Sequence, residues 1–317
     1  MSVSKQKSPI PSPPLIIPAL QAHKSTFIIL HGRGSTAEKF SKPLLQHAVP
    51  SLDSETHASS AVDGKTFQDH FPNTKFVFPT APLRRAVVFK RSLTHQWFDN
   101  WSLTQPELKQ HLQVQGLRET SIYLHELLRD EIKIVGAANV VLIGLSQGCA
   151  ASIVALLLWQ GEPIGGLVGM CGYLPFRKGM QSCFDEAGCG DDDSLVGSGG
   201  DGEDMFERND DDDDFVEKSK FDKAMEWLRE ELQTGVDYAG RGSESPSMQA
   251  IPVFMGHGKD DEKVPIAFGK LAADFLGSID VDVTWKEYEG LGHWYSEDML
   301  QDVVGFLKEK RGWSPPS

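Results

Sequence analysis

Asn139-Val140-Val141-Leu142-Ile143-Gly144-Leu145-Ser146-Gln147-Gly148 decides the reading of this chain. The first five residues are a short β-branched apolar run, the pattern of a buried strand. After them Cys149–Trp159 is an apolar stretch that reads as a buried helix. A serine between the two sits on a sharp strand-to-helix turn. Its neighbours two residues away must lack side chains, because a Cβ on either would clash across the turn. The serine hydroxyl then stands at a helix N-terminus, with the next backbone N–H free to stabilise an oxyanion. The plain alternative is a tight glycine turn ahead of a core helix.

A nucleophilic serine on such a turn needs an acid and then a base further along the chain. The acid candidates lie in Ile251–Pro265, where an apolar strand runs into a loop carrying Asp260 and Asp261. The base candidate is His293, at the tip of the loop that follows the alternating strand Val281–Tyr288. All three positions fall just past the C-terminal ends of predicted strands, where open α/β sheets place their sites. In this arrangement His293 takes the proton of Ser146, and the acid fixes the tautomer and orientation of the imidazole.

Ten histidines are present. His47, His57, His70, His111 and His125 lie in polar loops or on helix faces. His257 precedes the acid, which is the wrong chain order for the base. His31 opens His31-Gly32-Arg33-Gly34 after the strand Phe27–Leu30, and Ser35-x-x-Glu38 then reads as a capping box. Such a loop can present a second oxyanion N–H, here that of Arg33. It lacks the Gly-Lys-Ser/Thr ending of a phosphate loop, so nucleotide binding is disfavoured.

These pieces resemble the acyl-protein thioesterase and carboxylesterase branch of the α/β-hydrolases. The resemblance rests on Phe27–Gly34, Phe78–Pro82, Trp97-Phe98-Asp99, Gly144–Gly148, Gly172–Pro175, Gly256–Pro265 and Tyr288–His293, in that order. It implies a triad of Ser146, Asp261 and His293, taking the aspartate three residues before Val264-Pro265. It places the oxyanion donors at the N–H groups of Arg33 and Gln147. It also implies acylated-protein or small acyl-ester substrates, lysophospholipid-like esters among them, and it requires no cofactor or metal. Arg33 stands where the family usually has an apolar residue. Val87, Trp97 and Phe98, in the stretch 84–98, are candidates for an acyl-pocket wall; ordinary core packing is the alternative.

The chain has 317 residues, of which 40% are hydrophobic, enough for one large α/β domain with decoration. Its apolar stretches are shorter than the ~20 residues of a membrane span, and the first 25 residues carry no signal-peptide core. The expectation is a cytoplasmic protein whose membrane contact, if any, is transient. The four cysteines show no metal spacing, and a reducing compartment argues against pairing Cys183 with Cys189. Fifteen acids against the single Arg208 fall between Asp185 and Glu217, equal to the formal net charge of −14 of the whole chain. The remainder is nearly neutral and has no basic stripe for nucleic acid. The acidic run Asp210–Asp214 lacks the spacing of a calcium loop and offers at most a docking segment for a basic partner.

Strand and helix signals alternate from Phe27 onward. Strands are expected at 26–30, 75–78, 139–143, 166–170, 251–255 and 281–288. Helices are expected at 36–48, 107–134, 147–160, 217–233, 265–276 and 297–310. The alternation predicts an α/β-hydrolase fold with a mostly parallel central sheet and helices on both faces. A tail at 1–13 and an acidic insert at about 178–248 are expected to be disordered, with residues 14–317 otherwise one domain. Within the insert, Phe221, Ala224, Met225, Trp227 and Leu228 form an amphipathic helix, read either as a lid or as a surface decoration.

Overall fold

The computed structural model describes residues 12–50, 64–185, 218–234 and 248–311. In chain order its elements are β1 (Leu15–Ile17), β2 (Ser25–Leu30), α1 (Ala37–Leu45), β3 (Thr74–Phe78), β4 (Leu83–Ala86), β5 (Ser92–His95), α2 (His111–Val135), β6 (Val140–Leu145), α3 (Gln147–Leu157), β7 (Gly166–Met170), α4 (Arg177–Asp185), α5 (Lys220–Glu231), β8 (Val253–Gly258), α6 (Ile266–Ser278), β9 (Val283–Tyr288) and α7 (Glu297–Arg311). The main sheet runs β1-β3-β2-β6-β7-β8-β9. Every pairing in it is parallel except β1 with β3.

The strand alternation sorts side chains to two faces. Ile28, Leu30 and Leu142 join the core that includes α2, α3 and α6, whereas Phe27, Ile29 and Ile143 join the core with α1 and α7. Strands covered on both faces carry continuous apolar runs, and β2, β6, β7 and β8 are buried at every position. α3 is likewise buried along its whole length, as expected for a helix apolar on all sides. The serine turn therefore sits at the centre of the sheet, between a strand and a helix that are both buried at every position.

Four details differ from the sequence expectation. α1 is capped by Thr36, whose hydroxyl accepts from Lys39 N, and not by Ser35. β1 leaves no sequence signal, because three residues after a proline-rich stretch give too short a pattern. β4 and β5 form a separate hairpin; its arginines and exposed Leu83 and Leu93 hide the alternation. The polar, serine-rich look of 49–71 conceals Phe67 and Phe71, which are buried, with Phe71 edge-on to Phe27 at 4.9 Å. Residues 51–63 of that stretch lie outside the described residues.

The insert is partly built. Phe221, Ala224, Met225 and Leu228 of α5 are buried, and Trp227 packs against Phe176 with ring centres 6.2 Å apart. α4 and α5 pack on each other and α5 joins the core that includes α2, α3 and α6, so the surface-decoration reading fails for α5. The acidic stretch 186–217, including Cys189 and the Asp210–Asp214 run, and the tail through residue 11 lie outside the described residues.

Two glycines test this packing. A Cβ on Gly148 would lie 2.5 Å from Leu30 O and 2.8 Å from His31 O, so Gly148→Ala should destabilise by about 1–3 kcal/mol or more. Gly277, in the last turn of α6, has open space around it, so Gly277→Ala should stabilise by up to about 1 kcal/mol. Equilibrium denaturation of both variants checks the signs; equal effects would contradict the packing described.

Candidate active site

Ser146 adopts φ 56° and ψ −119°, a left-handed backbone that side chains rarely accept. Such a residue costs on the order of 1–3 kcal/mol and persists only where its surroundings hold it. Here Ser146 N donates to Met170 O at 2.8 Å, and Ala150 N donates to Ser146 O at 3.1 Å. Gly144 makes the turn possible, since a Cβ there would sit 2.5 Å from Cys149 N. Gly32 approaches from the other side; a Cβ on it would be 3.3 Å from Ser146 Cβ. The serine is thus pressed between the β2 loop and the start of α3.

Three side chains from three loops meet at this turn. Ser146 Oγ lies 2.8 Å from His293 Nε2, and His293 Nδ1 lies 2.7 Å from Asp261 Oδ2. An ionised carboxylate only accepts hydrogen bonds, so Nδ1 carries the imidazole proton and Nε2 presents its lone pair to the serine. Asp261 is buried, and its other oxygen accepts from Lys263 N and Val264 N, both at 2.9 Å. Burial pushes its pKa up, but hydrogen bonds from His257, His293 and Val264 N outweigh this and hold the carboxyl well below the usual carboxylate range. Asp260 stays exposed, its backbone N–H bonded to Leu291 O at 3.0 Å. His257, set aside in the sequence for its chain order, touches Asp261 at 3.1 Å. Only the fold could reveal that contact.

Gln147 is the first residue of α3, so its backbone N–H has no acceptor within the helix and points out at the positive end of the helix dipole. Its side chain braces the neighbouring loop: Oε1 accepts from Trp97 N at 2.9 Å, and Nε2 donates to Phe98 O at 2.8 Å. Trp97 Nε1 in turn donates to His31 O at 2.8 Å. His31 donates from Nδ1 to Gly32 O at 2.8 Å and accepts at Nε2 from Ala81 N at 3.1 Å. Burial lowers its pKa to about 4, so it is a neutral strut.

Of the two readings of Trp97 and Phe98, pocket wall or core packing, their burial favours the second. Both are wholly buried, and their backbone and indole groups carry the bonds that fix the Arg33 loop and Gln147. Val87 lines a cavity of about 560 Å³ between the β4–β5 hairpin and α2, with Leu83, Leu93, Leu112, Asp99 and Arg91. Burial raises the pKa of Asp99, whose carboxylate accepts from Val87 N. Arg33 reaches toward the same hairpin. Its guanidinium donates to Asn100 Oδ1 at 2.6 Å and lies 5.0 Å from the centre of the Phe89 ring. Among the described residues, Cys171, Asp261 and His293 bring one ligand atom each within 4.8 Å of one another. The His293 proton already fills the space between two of them, and the Cys171 thiol donates to Trp294 O at 3.2 Å. Burial pushes that thiol up to about 12, so the group is better suited to proton handling than to holding a metal.

The deciding comparison is with protein families. A model described as Phospholipase/Carboxylesterase matches residues 12–188 and 240–310. The chain belongs to the phospholipase/carboxylesterase family. As a member it is a carboxylic-ester hydrolase of α/β-hydrolase fold. Curated relatives include an acyl-protein thioesterase 1 from Gibberella zeae, 25% identical over 94% of this chain and 95% of its own length. A probable carboxylesterase, SOBER1-like, from Arabidopsis thaliana is 24% identical over 76% of this chain and 68% of its own length. The crystal structure of Zea mays acyl-protein thioesterase 2 shares the fold, with a TM-score of 0.58 at 18% identity, covering 94% of this chain and 99% of that one. No helix among the described residues is long and apolar enough to cross a membrane.

Asp261 makes the pH dependence of stability predictable. A carboxyl whose pKa is lowered by folding contributes stability that is fully present above its unfolded value, near 4, and is lost as pH falls through the folded value. The stability difference between the wild type and Asp261→Asn should therefore be constant above about pH 5 and shrink below about pH 4. Urea unfolding across that range measures it, and a difference flat to about pH 2.5 would contradict the charged, hydrogen-bonded state of Asp261.

Proposed function

We propose that this chain hydrolyses acyl esters and thioesters through Ser146, His293 and Asp261. The observation carrying the proposal is the unbroken path Oγ–Nε2 at 2.8 Å and Nδ1–Oδ2 at 2.7 Å. Ser146 Oγ attacks the acyl carbonyl carbon while its proton passes to His293 Nε2. The carbonyl oxygen becomes an oxyanion, which the backbone N–H groups of Gln147 and Arg33 receive. His293 then gives its proton to the leaving thiolate or alkoxide, and the carbon–sulfur or carbon–oxygen bond breaks. Water, deprotonated by the same Nε2, attacks the acyl-serine and returns the free acid and the serine. Asp261 stays ionised throughout and balances the imidazolium formed in each half-reaction.

The substrates that fit this reading best are S-acylated proteins, the class named by the acyl-protein thioesterase relatives. The 560 Å³ cavity beside Val87 has apolar wall from Leu83, Leu93 and Leu112 but is also lined by Arg84, Arg85, Arg91 and Asp99, so an acyl chain there would run along a mixed apolar and charged surface. Arg33 adds a cation beside the hairpin that walls the cavity, 5.0 Å from the centre of the Phe89 ring. A lysophospholipid or small carboxylic ester meets the same machinery, so chain length and leaving group, not the triad, set the preference.

Ser146→Ala should abolish hydrolysis of a short p-nitrophenyl ester while the unfolding temperature is kept. Asp261→Asn should lower kcat on the order of 10⁴-fold, by analogy with the serine-protease triad, through loss of the correct tautomer. Asp260→Asn, an exposed neighbour, should cost far less. Steady-state kinetics on the three variants check the assignment; a larger loss for Asp260→Asn than for Asp261→Asn would contradict it.

A further inference from the structure

We propose that His257 is a positioning residue for the reaction, a second imidazole that holds and shares Asp261 with His293. The inference rests on the triad reading above and deepens it. Asp261 Oδ1 is already occupied by two backbone N–H groups. Oδ2 faces two histidines at once, His293 Nδ1 at 2.7 Å and His257 Nε2 at 3.1 Å. His257 Nε2 also lies 2.9 Å from Val264 O. Both of its neighbours accept hydrogen bonds, so Nε2 carries the proton and splits it between them. Nδ1 is buried with no hydrogen-bond partner among the described residues.

The surroundings fix this ring. His257 is 1% exposed, and any side chain on Gly269 of α6 would overlap Nδ1. From β9 the Trp285 ring lies 6.2 Å away; its indole N–H donates to Glu287, and Lys270 of α6 lies 6.0 Å from the ring centre. The titratable groups around the shared oxygen are Asp261, both histidines and Cys171, whose thiol burial keeps neutral. Asp261 thus receives three hydrogen bonds and a close approach from His257 Nε2, which together hold its carboxylate toward His293. A donor on Oδ2 also draws off part of the charge that would otherwise rest wholly on His293. That limits how firmly the imidazolium is held and eases its release of the proton to the leaving group.

Two near-isosteric variants separate this role from simple packing. The amide nitrogen of glutamine occupies about the place of a histidine Nε2, and that of asparagine about the place of Nδ1. His257→Gln should retain most of the activity on a short p-nitrophenyl ester. His257→Asn should lower kcat on the order of ten-fold, the value of one hydrogen bond to a charged group, with KM unchanged. The acid limb of its kcat/KM profile should move to higher pH. In an Asp261→Asn background the same His257→Asn change should cost nothing further, because the partner through which it acts is gone. Equal losses in both His257 variants, an unmoved acid limb, or full additivity with Asp261→Asn would overturn the proposal. Full activity in Asp261→Asn itself would instead overturn the triad reading beneath it. Should neither His257 variant fold, ¹⁵N-resolved NMR of the wild type decides the matter. The His257 Nε2–H signal should shift when a fluorophosphonate adduct forms on Ser146 beside His293, and an unmoved signal would overturn the proposal.

Discussion

The turn at Ser146 is the constraint on which the rest of the structure depends. A side-chain-bearing residue at φ 56° is strained, and the strain persists only because three separate contacts leave no alternative. Met170 of β7 holds the serine's N–H, Gly144 and Gly148 let the strand and helix backbones close on each other, and Gly32 brings the β2 loop against its Cβ. Each contact comes from the packing of β2, β6, β7 and α3, elements buried at every position. The sheet therefore serves as the clamp that keeps one hydroxyl aimed outward at the positive end of a helix.

A second layer of bonds transmits that rigidity to the groups around the serine. Gln147 ties the start of α3 to the 97–98 backbone, Trp97 ties that segment to His31, and His31 ties the Arg33 loop to Ala81. On the opposite side Asp261 is held by its own loop and by two histidines, while Cys171 fastens the loop after His293. Buried polar groups stabilise a unique geometry only when their hydrogen bonds are made. Here the satisfied ones lie on both flanks of the serine, so preorganisation of the site and stability of the core are the same property.

Much of this was legible in the sequence, because the decisive features are local. The apolar run before Gly144, the glycines at 144 and 148, and the strand-loop patterns ahead of Asp261 and His293 each mark a place in the chain. Six strands and six helices appear where the alternation put them, within a few residues. What the sequence concealed is non-local or compositionally masked. Trp97 and Phe98 look like pocket aromatics until α2 is seen packed on them, with Gly116 against Phe98. The β4–β5 hairpin is hidden by its arginines, one of which, Arg84, is paired at 2.6 Å with Glu119 of α2. α4 sits in a stretch whose glycines and acids suggest no structure, yet Gly179 is there to admit the Trp227 ring. His257 was passed over because chain order says nothing about what a side chain touches.

The most direct test is where the chain carries its covalent intermediate. Incubation of the intact protein with a fluorophosphonate, followed by peptide mapping, should give one adduct per chain on the peptide containing Ser146. Hydrolytic activity should fall in step with labelling. Activity that survives stoichiometric labelling of Ser146, or inactivation accompanied by an adduct on a different residue, would contradict the account.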